Sequence, residues 1–128
     1  MRMIFVNLPV KDLNASRGFF GELGFEFNPQ FSDDRAACMV VDQNIFVMLL
    51  EEDRFRDFIN GEISDATSTT EVLTALSADS REHVDDTIAK AIAAGGKPWK
   101  PIMDEGPMYG GSFQDLDGHV WELMHMEQ

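Results

Sequence analysis

The order of strand and helix signals in this 128-residue chain occurs twice, and that repetition constrains the fold more than any single motif. Asp12 and Ser80 each stand where a side chain caps a helix, Gly24 and Gly95 stand where one ends, and apolar strands close at Leu50 and Met124. The offsets run from 68 to 74 residues although the letters barely match. Each half reads as a strand, a helix and three more strands. Two such βαβββ units predict an α+β domain, each unit a curved, mixed sheet with one helix outside, and paired units enclosing a cleft.

In the first half, residues 3–10 alternate as a strand whose Pro9 marks an edge or a last paired position, and Leu13, Phe19, Phe20 and Leu23 supply a helical stripe. Residues 25–31 alternate again before the polar turn at 32–35, and 36–41 and 45–50 form a hairpin about Asp42, Gln43 and Asn44. Residues 51–68 turn acidic and form a connector with a short helix, its Phe55, Phe58 and Ile59 anchoring it to a core. The second unit, from about residue 69, has a strand at 70–78, then a helix burying Val84, Ile88, Ala91 and Ile92. A strand at 97–103 carries Trp99 and is pushed to an edge by Pro98 and Pro101, and the strand at 108–114 leads into the last hairpin.

That hairpin is D-L-D-G-H-V-W-E-L-M-H-M, where Asp117-Gly118 is a strong turn signal. In the strand that follows, Val120, Glu122, Met124 and Met126 share one face and His119, Trp121, Leu123 and His125 the other. Glu122 is therefore a carboxylate in an apolar row, costly unless it is paired, metal-bound or facing a wet cavity. The two histidines fall on the face opposite Glu122, and His83 belongs to a helix's first turn.

Ten basic against 23 acidic residues give a net charge of -13, which repels phosphate backbones and anionic membranes and argues against nucleic acid as a partner. No apolar run reaches the roughly 20 residues of a membrane span, and the apolar start holds Asn7 and Pro9 without a cleavage pattern, so a cytoplasmic location is expected. Cys38 is the lone cysteine and reads as a buried strand residue without a base beside it. No nucleophile elbow, phosphate-binding loop or dinucleotide fingerprint is present.

The runs L-P-V-K-D-L-N-A-S-R-G-F-F-G-E-L-G-F, A-D-S with the later A-I-A-A-G-G, and F-Q-D-L-D-G-H-V-W-E-L together resemble the vicinal oxygen chelate superfamily of glyoxalase I, extradiol dioxygenases and bleomycin or fosfomycin resistance proteins. The resemblance covers essentially the whole chain. It implies the glyoxalase-like fold, a homodimer, and a divalent metal held by one residue from the first and last strand of each unit. Carried over by motif spacing, those positions are Phe5, Met48 (allowing a one-residue slip), Leu73 and Glu122. Three of the four are apolar, so no metal ligand set is assigned and the cofactor stays unknown. Asn7 shares its strand parity with Phe5, and Glu71 with Leu73, so both join Glu122 as candidates for an oxygen-rich, histidine-free cluster.

Phe5, Asn7, Met48, Glu71, Leu73, Tyr109 and Glu122 are thus the candidate ligand-binding residues. Tyr109, with Trp99, Phe113, Met39, Met48, Met103 and Met108, either lines the cleft or fills the core. The leading expectation is a glyoxalase- or bleomycin-resistance-like protein that holds a small organic molecule, largely apolar with one polar or cationic end near Glu122. The alternative is a metal-dependent lyase, lactoylglutathione lyase-like, or an extradiol dioxygenase-like enzyme with a rearranged site, in which Glu122 is a ligand or general base.

Overall fold

In the computed structural model, which describes residues 1–127, local capping chemistry sets the helix ends where the sequence places them. The strand β1 (Ile4–Val10) leads into α1 (Leu13–Glu22), where the Asp12 side chain accepts from the Ala15 N–H at 3.0 Å. Beyond the helix Gly24 turns the chain at φ 99°, open to glycine at little cost. The next strands are β2 (Glu26–Asn28), β3 (Ala36–Asp42) and β4 (Ile45–Glu51), followed by the short helix α2 (Glu52–Arg56). The strand expected over 25–31 is shorter. Pro29 has no N–H to give a ladder and suits a first helical position, so 29–31 wind into a 3-10 turn capped by the Asn28 side chain on the Gln30 N–H.

The first compact unit spans Met1–Ser64 and holds an open sheet in the order β1-β4-β3-β2, with β1 parallel to β4 and the other pairs antiparallel. Pro9 accordingly lies on an edge strand. One sheet face carries Val10, Ala37, Met39, Val47 and Leu49, all buried, and with Leu13, Phe19 and Phe20 of α1 they make the unit's core. The opposite face carries Phe5, Asn7, Phe46 and Met48. Phe58 was expected to anchor the connector, but its ring is 64% exposed with the Arg54 guanidinium 4.4 Å above it.

The second unit spans Asp65–Gln128. It contains β5 (Leu73–Ser77), α3 (Arg81–Ala93), β6 (Lys97–Pro98), β7 (Met103–Glu105), β8 (Met108–Gln114) and β9 (Val120–Met126). Ser80 caps α3 by accepting from the His83 N–H, and Gly95 ends it at φ 108°. The sheet order is β5-β9-β8-β6, with β7 also on β8 and β5 parallel to β9, the same scheme as the first unit. The single strand expected over 97–103 is instead two pieces on one edge of β8, because Pro98 and Pro101 cannot donate. In the gap the Lys100 N–H turns to Ser112 Oγ at 3.0 Å. Within α3 the buried row is Val84, Thr87 and Ala91, while Ile92, expected inside, is 39% exposed.

Gly111 fixes which side of this sheet the helix covers. A Cβ built there would stand 2.2 Å from Ile88 Cδ1 and 3.5 Å from Val84, so α3 lies on the Gly111 face, which also bears Phe113, Trp121 and Leu123. Glu122 is on the other face. The two mixed sheets and few helices make the α+β class expected from the repeated pattern.

Candidate functional site

In each unit the sheet face turned away from the long helix carries candidate residues: Phe5, Asn7 and Met48 in the first, Leu73 and Glu122 in the second. Beside Asn7 in the β1–β4 register lies Met48, and beside Ala75 in the β5–β9 register lies Glu122. Asn7 and Ala75 each stand five residues before a helix cap, so Met48 and Glu122 occupy matching positions in the two units. Phe5 sits beside Phe46 with rings stacked at 4.9 Å and 13°, and Leu73 sits beside Val120. Phe5 is 44% and Leu73 52% exposed.

Glu122 is half-buried and, among the described residues, has no side-chain hydrogen bond or ion pair. Its cross-strand neighbour on β8 is Ser112, whose hydroxyl is occupied by the Lys100 N–H. Gly110 lies beside Met124 so closely that a Cβ would meet its sulfur at 2.3 Å. The neighbours of the carboxylate on this face are Ala75, Gly110, Val120 and Met124 with the polar Ser77 and Gln114, and the Gln114 amide is turned to the Gly118 carbonyl.

Asn7 shares the face of Phe5 and Met48, whereas Glu71 and Tyr109 lie elsewhere. Asn7 is exposed, its amide donating to the Phe5 carbonyl at 3.2 Å. Glu71 is exposed and precedes β5, so the strand parity that aligned it with Leu73 does not extend to it. Tyr109 pairs with His125 and so shares the helix-side face, opposite Glu122. Its hydroxyl donates to Asp85 on α3 at 2.6 Å and Arg81 stacks 4.9 Å from its ring; the Asp85 bond, with burial, raises the phenol above its usual range. Phe113 and Met39 are core residues at 1% and 0% exposure. Cys38 is fully buried, and burial raises its thiol. His125 is tied through Nδ1 to the Ala78 carbonyl at 3.0 Å, and His83 is an exposed residue whose Nδ1 accepts from the Asp79 N–H.

Two arrangements in the second unit escaped sequence reasoning. Asp115, 5% exposed, is the acid that organises the final hairpin: one oxygen accepts from the Asp117 and His119 N–H groups and the other from the Trp121 indole. The buried indole was the signal, since its N–H needs an acceptor. Arg81 joins Glu127 at 2.8 Å, Asp104 at 3.1 Å, and the Gly106 carbonyl at 3.0 Å. Those partners lie 46, 23 and 25 residues from it, and no local pattern marks them.

The family profile for the bleomycin resistance protein-like N-terminal region matches residues 2–42. No curated protein matches the chain. Among solved structures, a hypothetical protein from S. aureus is similar at 27% identity, covering 98% of this chain and 94% of that one with a TM-score of 0.83. A glyoxalase/bleomycin resistance protein/dioxygenase family enzyme from Burkholderia phytofirmans PsJN matches at 18% identity, 98% and 99% coverage and a TM-score of 0.81. A fosfomycin resistance protein from Listeria monocytogenes, complexed with Mn(II) and sulfate, matches at 21% identity, 98% and 90% coverage and 0.70. The resemblance to the vicinal oxygen chelate superfamily is borne out, and the fold is that of its glyoxalase and bleomycin-resistance members.

The divalent metal that this fold family implies does not fit the residues at these positions. A phenyl ring, a thioether, an isobutyl group and one carboxylate offer a hard cation one good donor. Among the described residues no three His, Cys, Asp or Glu side chains converge as a ligand set.

Proposed function

We propose that the protein is a binding protein of the bleomycin-resistance type, taking a small organic molecule with an apolar body and a polar or cationic end on the helix-free sheet face of its second unit. Glu122 receives the cationic end, and Leu73, Val120 and Met124 on the same face of that unit supply apolar contact. The observation that carries this reading is Glu122 itself: a half-buried carboxylate that no donor among the described residues pairs. Such a group gains most from a cation supplied from outside. The net charge of -13 adds a long-range attraction for the same ligands, stronger at low salt.

In line with the family, the working unit is a homodimer; light scattering at micromolar concentration tests this, and a monomer there removes it. The binding reading is tested by metal analysis of the purified protein and titration of Mn, Ni, Zn or Fe(II) with melting temperature as readout, because an ion held by the native state alone raises it. No saturable rise is expected. A stoichiometric ion lost on Glu122→Gln overturns the reading in favour of a metal-dependent lyase or dioxygenase.

A further inference from the structure

Asn60-Gly61 is the chain's one Asn-Gly pair, and it lies in the acidic connector that the ligand-binding reading leaves unused. Asparagine before glycine carries a reactive possibility of its own, because the next residue's amide nitrogen can reach the side-chain carbonyl carbon when no Cβ obstructs it. A fold suppresses this by bonding that N–H or burying the turn. Here it does neither. Asn60 and Gly61 are both exposed, in a bend outside helix and strand. Neither makes a hydrogen bond among the described residues; the last bonded amide before them is that of Ile59, to the Arg56 carbonyl. Gly61 has φ 90°, and a Cβ built on it would meet nothing within 4 Å, so the space around the reacting atoms is open.

The chain contains its own comparison. Asp117-Gly118 can form the same five-membered ring, yet Gly118 is buried, its N–H donates to the Asp115 carbonyl at 3.1 Å, and a Cβ there would meet the Ala66 backbone at 2.9 Å. The Asp117 N–H is held by the Asp115 carboxylate. Asp-Gly closes that ring more slowly than Asn-Gly by its own chemistry, and the fold adds a lock at Gly118 that it does not place at Gly61.

We propose that Asn60 is a site of spontaneous deamidation in the folded protein, through a succinimide closed by the Gly61 nitrogen. The Gly61 N–Asn60 Cγ bond forms as the Cγ–Nδ2 bond breaks, and ammonia leaves with the proton of the Gly61 amide. Water then opens the ring at either carbonyl, giving aspartate or isoaspartate at position 60. Each event replaces a neutral amide with a carboxylate, taking the formal charge from -13 to -14, and the isoaspartyl product lengthens the backbone by one methylene. That product presents the carboxylate recognised by isoaspartyl methyltransferases.

The test ages the full chain in mildly alkaline buffer, folded and urea-unfolded side by side, and follows the tryptic peptide 57–81, in which Asn60 is the only side-chain amide. The folded protein is expected to gain about 1 Da in that peptide, at a rate within about tenfold of the unfolded chain, as befits a segment with no protecting bonds. Enzymatic methylation should report isoaspartate at 60 in both samples and at 117 only in the unfolded one. Asn60→Gln should remove the shift. Folded protein that converts more than about tenfold slower than the unfolded chain, or that accumulates isoaspartate at 117 as fast as at 60, overturns the proposal.

Discussion

The Trp121 indole donates to Asp115 Oδ2 at 3.0 Å, so the largest fully buried side chain of the second unit is fastened to the carboxylate that shapes its final hairpin. The same acid takes two backbone N–H groups, and a buried anion with three donors is a fixed point from which β9, and with it Glu122, is aimed. Removing it takes away the acceptor that these three donors share.

Asp115→Ala should therefore destabilise the protein by about 1–3 kcal/mol, the usual cost of stranding buried donors. Burial raises this carboxyl above 3.8, against the opposing pull of His119 and the Trp121 bond. The folded chain then keeps the proton to higher pH than the unfolded chain does. Its linkage contribution is fully present below the ordinary value and fades as pH rises through the folded one. Urea melts of the two proteins across that window should show their stability difference shrinking from acid towards neutral pH; a difference that widens contradicts this.

Glycines separate by what surrounds them. Gly24 at φ 99° has open space, so Gly24→Ala should cost about 1–2 kcal/mol for conformation alone. Gly118→Ala adds collision with the Ala66 backbone to a φ of 90° and should cost more. Equal midpoints in denaturant for the two variants would refute that ordering.

Arg81 holds the β7–β8 hairpin and the end of β9 to the first turn of α3. Its partners are exposed, so Arg81→Met should lower the melting temperature by only a few degrees, and less in high salt. Hydrogen exchange should quicken at residues 103–109 while the β8–β9 core amides hold. A uniform change across the unit contradicts the assignment of Arg81 as a local fastening.

The helix ends were legible because caps and terminating glycines act through near neighbours, as with Asp12, Ser80, Gly24 and Gly95. The face of Glu122 was legible for the same reason, since alternation along a strand is local. Tyr109 was not: its side follows from the pairing with His125 and from Asp85 and Arg81, more than 20 residues away. The prolines at 98 and 101 announced an edge, yet the split into two short strands depends on how Ser112 meets the chain in the gap.

Glu122 carries the functional account, and titration calorimetry with a matched pair of ligands addresses it. An amphiphilic aryl amine and its neutral isostere would be added to wild-type protein and to Glu122→Gln. The wild type should bind the amine at least about tenfold more tightly than the isostere, about 1.4 kcal/mol, and the variant should bind the two alike with an unchanged melting temperature. Equal affinity of wild type and variant for the amine would contradict a role for the Glu122 carboxylate in holding a cation.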